Sequence, residues 1–312
     1  MILGACVATG CLLLGGFLAW LVVLTDVPFR RFLGILSMLP FMIPSFAAAL
    51  AWGTLFRNDR LGGQPGYFAA NGISIPDWLA WGLLPTLIVL VAHYYSLAYT
   101  MIAAALSSVS ADLVESAEMA GAKKSRILFG IILPVVTPAL VAGGMLTFAG
   151  AVSNFAAPAL LGAPVRMQTL STRIYGMVQT GNIERGYVLA LILILAAAAL
   201  LFFSDRLVLG RKAFTTVTGK GARTKRFALG IWRWPLFVTA VALGMMTTVI
   251  PVLVLFASSM AEQSGGLFSN WTLHFWIGPA GTDLAEGQAG IFRDSILLGS
   301  IMTTIRLGLT VA

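Results

Sequence analysis

The stretch from Ile2 to Leu24, ILGACVATGCLLLGGFLAWLVVL, holds no charged residue over 23 positions. A helix needs roughly 20 mostly apolar residues to cross the hydrocarbon core of a bilayer. This run is long enough, has no basic segment ahead of it, and exceeds the apolar core of a secretory leader, so it reads as a true span. Six further apolar runs follow, at 33–56, 81–106, 135–157, 187–203, 236–260 and 295–312. The chain as a whole agrees: of 312 residues, 58% are hydrophobic and 10% charged, and the mean hydropathy is +0.91. Soluble proteins carry roughly 25% charged residues. So few charges cannot cover a water-facing surface, which excludes a soluble or a disordered chain. Two cysteines exclude a disulfide-stapled scaffold. The fold expected is an all-α polytopic membrane protein with about seven transmembrane helices.

The net charge of +8 would suggest nucleic acid in a soluble protein. Here the placement of the charges points to membrane topology and not to nucleic acid. Loops 25–32, 107–134 and 204–235 carry thirteen of the 20 Lys and Arg, whereas loops 57–80, 158–186 and 261–294 carry six. Basic residues collect in cytoplasmic loops, so the first set is cytoplasmic and the chain begins on the far side. The two ends also resemble each other. Aligning Leu3-Gly4 with Leu298-Gly299 pairs Thr9 with Thr304, Leu12 with Leu307 and Leu14 with Leu309. That fits an internal duplication with a period near 295 residues. Residues 1–203 are then a first repeat lacking its opening helix, 204–235 a basic cytoplasmic linker, and 236–312 the start of a second repeat. On this reading the sequence is truncated at both ends.

One cytoplasmic segment stands apart: Ser107–Pro138, SSVSADLVESAEMAGAKKSRILFGIILPVVTP. Asp112 and Glu115 have capping-box-like spacing and predict the start of a short helix. Gly121 can take the left-handed conformation that ends it. A second short helix is expected from about Ala122 to Ile132, with Lys123, Lys124 and Arg126 in its first turn. Cations there oppose the helix dipole, so an anionic lipid surface or an acidic partner must favour them. Thr137 and Pro138 are suited to the N-cap and first position of the next span. Two short helices joined at a glycine elbow make a docking shape.

These residues carry a family resemblance. Glu115-Ser116-Ala117, three residues, Gly121, nine residues, then Ile131-Ile132-Leu133-Pro134 resembles the EAA loop of binding-protein-dependent ABC importer permeases, E-A-A, x3, G, x9, I-x-L-P. Only Ser116 departs, one small residue for another. Thr25-Asp26-Val27-Pro28-Phe29-Arg30-Arg31 is similar to the T-D-x-P-G-R-R turn of fused, double-length permeases of the ferric-iron type, with Phe29 where glycine is usual. Pro158–Gly162 followed by Thr172–Tyr175 resembles their outer loop, Phe214–Gly221 their linker, and Asn270–Leu273 the start of their second half.

The resemblance implies a helical permease bundle in the bacterial inner membrane, with two permease repeats in one polypeptide. It implies a separate ABC ATPase, a dimer whose groove receives the EAA helices, and a periplasmic substrate-binding protein, but no cofactor, metal or catalytic residue in this chain. Glu115, Ser116, Ala117, Gly121, Ile131, Leu133 and Pro134 are the implied ATPase-coupling residues. Ferric iron is the cargo it favours, with thiamine, aminoethylphosphonate or another small organic ion as alternatives.

The remaining features are weaker guides. There is no P-loop, G-x-S-x-G or H-E-x-x-H, and no mid-span pair suited to an intramembrane protease. All twelve acidic residues fall in loops or at span edges, whereas an ion-driven secondary carrier usually buries some mid-span. His93 lies within a span beside Tyr94 and Tyr95 and is expected to bond a neighbouring helix, with pathway lining as the alternative. His274, near Trp271 and Trp276, is expected as an interfacial anchor, as are Trp52, Trp78, Trp81 and Trp234. Arg306 is expected to snorkel or to face a cavity. Ala139, Gly143, Thr147 and Ala151 predict one close-packing face, and Cys6 and Cys11 point to different faces of their helix. No residue is assigned to substrate contact.

Overall fold

The computed structural model describes residues 1–61, 63–209, 226–263, 265–268, 270–281 and 284–311. The linker resemblance at Phe214–Gly221 and five basic residues between Arg211 and Lys225 lie outside the described residues. Eleven helices are used below: α1 Ile2–Leu24, α2 Arg30–Met38, α3 Ser45–Phe56, α4 Leu83–Ser107, α5 Ala111–Met119, α6 Leu133–Ser153, α7 Leu170–Gln179, α8 Ile183–Leu209, α9 Arg233–Gly244, α10 Ile250–Met260 and α11 Ser295–Val311.

The apolar runs of the sequence fall in helices, as an all-α polytopic membrane protein requires, with fewer than seven full-length spans among the described residues. Among the described residues four helical stretches are long and apolar enough to cross a membrane: Ile2–Leu24, Asp77–Ser107, Ser125–Ser153 and Gly230–Met260. Arg30–Met42 with Ser45–Phe56 makes a fifth if counted as one broken span. The run at 33–56 breaks because Pro40 lies in a tight turn at Leu39–Met42, and Pro44 follows directly, where it supplies no N–H and forces the residue before it out of the helical region. The last run gives a shorter apolar helix, Ser295–Thr310.

The chain forms two compact units. The larger comprises Met1–Ala49 and Trp81–Pro251. Its centre is α1, α4 and α6, packed against one another. At Gly15, α1 meets α4 so closely that a Cβ would sit 2.7 Å from both the Tyr95 carbonyl oxygen and the Tyr99 amide nitrogen, so only glycine allows that approach. The small-residue face of α6 behaves as expected: Gly143, Thr147 and Ala151 are buried, with Gly143 against Ala98 of α4. Cys11 is buried and Cys6 exposed, as their different faces require.

The smaller unit comprises Leu50–Ala80 and Val252–Ala312. Its core is Ala51, Val254, Ala257 and Leu267, with Leu55, Tyr67 and Leu255 packed on it. Asn58 donates to Asp77 Oδ1 at 2.8 Å and to the Ile75 carbonyl at 3.0 Å, and Arg60 pairs with Asp77 at 2.6 Å. His274 corrects its sequence reading. It is buried at 8% exposure, and its Nε2 lies 3.3 Å from the Gln288 carbonyl oxygen, so it braces the 274–290 segment from within. Of the four tryptophans assigned to interfaces, Trp78 and Trp234 are exposed. Trp52 instead donates from its indole to the Leu79 carbonyl at 3.0 Å, and Trp81 is buried. Arg306 is exposed on α11.

Two stretches depart from regular α-helix in the same way. Leu128–Ile132 is a π-helical turn leading into Leu133-Pro134. Met245–Val249 is another, leading into Ile250-Pro251. In each, the N–H before the proline bonds five residues back, Leu133 to Leu128 and Ile250 to Met245. A proline removes one N–H and its ring crowds the carbonyl a turn earlier; widening that turn takes up both.

Candidate functional site

The segment Ser107–Pro138 forms the expected helix pair, with changed boundaries. The first helix, α5, begins at Ala111 with Ser110 as its N-cap, whose hydroxyl accepts the Asp112 N–H. Asp112 is therefore in the first turn, favourable to the helix dipole, and not the capping residue expected from its spacing to Glu115. At the other end Gly121 has φ +78°. Its N–H donates to the Glu118 carbonyl at 2.8 Å, and the Ala122 N–H to the Ala117 carbonyl at 3.0 Å. These two bonds are the Schellman arrangement that a left-handed residue after a helix permits. Among the described residues nothing lies within 4 Å of a Cβ built at Gly121, so the backbone conformation, not space, selects glycine.

The second helix does not stop short of the span. A turn of α-helix at Lys124–Ile127 runs through the π-turn Leu128–Ile132 straight into α6. The start expected at Thr137 and Pro138 is absent: the Thr137 hydroxyl donates back to the Leu133 carbonyl at 2.7 Å, and Pro138 lies inside α6. A helix tolerates Pro138 here because only the carbonyl one turn back, at Pro134, loses its partner. One continuous rod, Ser125–Ser153, thus leads from the elbow into the membrane.

The sequence-predicted residues divide into an outer and an inner set. Glu115, Ser116 and Gly121 are exposed, and Ala117 is half-buried on α5. Ile131 and Pro134 are half-buried and Leu133 is 39% exposed at the start of α6. Val114 and Ile127 are the buried side chains that fix the short helices. Motif matching missed Leu113 and Met119, 55% and 84% exposed on α5. The signal was available: both fall off the face that buries Val114, so their apolar character is unexplained by the chain's own core.

Inside the membrane the larger unit holds a second set of polar groups. The Thr247 hydroxyl, in the second π-turn, donates to the Leu243 carbonyl at 2.9 Å. Its oxygen lies 3.2 Å from Tyr95 Oη; with the threonine proton so engaged, Tyr95 is the donor. The hydroxyls of Ser96 and Thr248 are buried with no hydrogen-bond partner among the described residues, an unfavourable state in an apolar surrounding. His93 stacks on Phe41 with ring centres 5.4 Å apart, which makes it a packing residue on the Leu39–Met42 turn. Near the far end of α6, Asn154 Nδ2 donates to Ser45 Oγ at 2.8 Å and to Tyr94 Oη at 3.2 Å, and Tyr94 donates to the Gly150 carbonyl at 3.0 Å. Among the described residues no three His, Cys, Asp or Glu side chains are grouped to hold a metal ion.

Comparison with known proteins agrees with this architecture. A permease protein of Sinorhizobium fredii described as a probable ABC transporter permease, y4fN, is 28% identical over 298 residues, which cover 91% of this chain and 50% of that protein. The sulfate transport system permease protein CysT of Escherichia coli is 27% identical over 194 residues, 61% of this chain and 67% of that protein. The ferric transport system permease protein FbpB of Actinobacillus pleuropneumoniae is 24% identical over 191 residues, 61% of this chain and 27% of its own length. The chain thus spans about half the length of the Sinorhizobium protein. Residues 12–214, more than half of the chain, match the family described as binding-protein-dependent transport system inner membrane component, and the chain, a multi-pass helical membrane protein, belongs to that family of transport components.

Proposed function

We propose that the chain is the permease of an ATP-driven importer and that α5 with the Lys124–Ile127 turn couples it to a separate ATPase dimer. The carrying observation is mechanical: a helix clipped by a Schellman turn at Gly121 adjoins a rod that continues without interruption from Ser125 to Ser153. A pull on α5 moves α6 with it. Glu115 offers a charge to the partner, Ser116 and Ala117 let it approach, and Leu113 and Met119 give it apolar surface to bury. Ile131, Leu133 and Pro134 pass the displacement to α6. In this reading residues 1–203 and 236–312 belong to two permease repeats joined by 204–235, and a periplasmic binding protein delivers the solute.

The cargo proposed first is ferric iron, on the resemblance of the Thr25–Arg31 turn and of Pro158–Gly162 to ferric-type fused permeases. Sulfate is the second reading, favoured by the similarity to CysT at an identity no lower than that to FbpB. The test is ATP hydrolysis by the complete polypeptide in liposomes with its ATPase and binding proteins loaded with ferric iron, sulfate, thiamine or aminoethylphosphonate. Stimulation by the ferric-loaded protein, lost in Gly121→Asp, is expected. Stimulation by another loaded protein reassigns the cargo alone. Uptake that follows an ion gradient, with no ATPase response, overturns the coupling.

A further inference from the structure

Arg30 and Arg31 come together with Arg226, far from them in sequence, in the larger unit. Arg30 and Arg31 open α2, and Arg233 opens α9. Arg226 is carried to them by a backbone clip: the Phe227 N–H donates to the Leu24 carbonyl at 2.7 Å, and the Leu229 N–H to Asp26 Oδ1 at 2.9 Å. Arg30 lies within the repulsive field of both Arg226 and Arg31. Asp26 is the acid nearest in sequence, but its carboxylate is engaged by Leu229. Among the described residues none of the four arginines makes an ion pair. Sorting of positive charge to the cytoplasm accounts for their side of the membrane. It does not account for a hydrogen-bonded clip that holds like charges together.

Beside the arginines stands an uncovered apolar shelf. Ile231, Trp232 and Trp234 are 88%, 63% and 59% exposed, and Trp234 meets Phe237 edge-on at 5.9 Å. Indole rings with one wet and one apolar side settle at the headgroup level of a bilayer. Positive charge concentrated at that level, where Asp26 is one acid against several arginines, calls for a further anion, and guanidinium groups match the paired oxygens of a phosphodiester.

We propose that Arg30 and Arg226, flanked by Arg31 and Arg233, hold the headgroup phosphate of an anionic phospholipid of the cytoplasmic leaflet, its acyl chains lying along Trp232 and Trp234. The lipid screens the arginines from one another and fixes the clip at the start of α9. The site is independent of the ATPase-coupling reading and of the cargo.

The test is native mass spectrometry of the chain in neutral detergent, with phosphatidylglycerol or phosphatidylcholine of matched acyl chains added. Preferential retention of phosphatidylglycerol is expected. A contact worth about 1 kcal/mol per arginine corresponds to roughly fivefold in affinity for each one removed, so Arg30→Gln with Arg226→Gln lowers occupancy by about twenty-five-fold. Arg166→Gln with Arg173→Gln, on the opposite side, leaves it unchanged. Equal retention of both lipids overturns the proposal, as does an equal loss in the Arg166/Arg173 variant. Displacement of the lipid by inorganic phosphate assigns the cluster to a free anion and overturns the lipid. If the double variant fails to fold, Arg226→Gln alone decides, with about fivefold loss supporting the proposal and undiminished occupancy ending it.

Discussion

The two π-turns share one backbone device in different settings. At Leu128–Ile132 the turn is open on one side: Phe129 is 66% exposed, and among the described residues nothing lies within 4 Å of a Cβ built at Gly130. At Met245–Val249 the turn is held by its neighbours. Thr247 accepts from Tyr95, Thr248 is buried, and a Cβ at Gly244 would overlap the Leu36 side chain. A proline preceded by the same widened turn can therefore serve as a joint or as a locked kink. Packing around the turn, not the turn itself, decides which. π-Turns recur at functional positions, and the unlocked one here adjoins the segment assigned to coupling.

The largest effect expected lies on the unlocked side. Glu115→Arg or Gly121→Asp abolishes ATP-coupled uptake while the protein stays in the membrane, read by transport in vesicles alongside immunoblots of the same membranes. Normal uptake in both variants would remove the distinction between the two turns. Pro134→Ala restores an N–H and lets the helix regularise; solute-stimulated ATP hydrolysis drops severalfold with no fall in thermal stability. On the locked side stability responds first. Gly244→Val forces Leu36 aside and costs about 1–3 kcal/mol, seen as a lower unfolding midpoint in detergent. Tyr95→Phe removes the donor to Thr247 and costs about 1 kcal/mol by the same measurement. If it changes coupling more than stability, the second turn is a joint as well. Phe29→Gly has the smallest effect. Relief of the left-handed conformation at φ 50°, worth about 1 kcal/mol, is offset by loss of the ring contact with Phe237 at 5.8 Å.

The spans were legible because length and hydropathy act directly on membrane insertion, and Gly121 because a left-handed turn selects its residue. The usual glycine of the Thr25–Arg31 turn also finds its reason in the structure, since Phe29 occupies a left-handed conformation. The π-turns left no mark: one extra residue in a turn does not alter an apolar run in which nearly every position is apolar. The helix start expected at Thr137 failed for a related reason. Thr-Pro is a good opening only if the preceding chain is not already helical, and the wide turn at 128–132 delivers it as helix. His274 was misread because two nearby tryptophans suggested an interface, whereas the burial of its ring depends on contacts with Gln288 that no local pattern announces. Leu113 and Met119 lie outside the fixed positions of the motif, so its spacing carries no information about them.

The clip between the turn after α1 and the start of α9 has a consequence for the chain as a polymer. Because Leu24 and Asp26 grip Phe227 and Leu229 directly, the entry of α9 is placed by hydrogen bonds and not by how far the intervening chain can reach. A single change at Asp26 that removes the acceptor of the Leu229 N–H is therefore expected to shift where α9 begins.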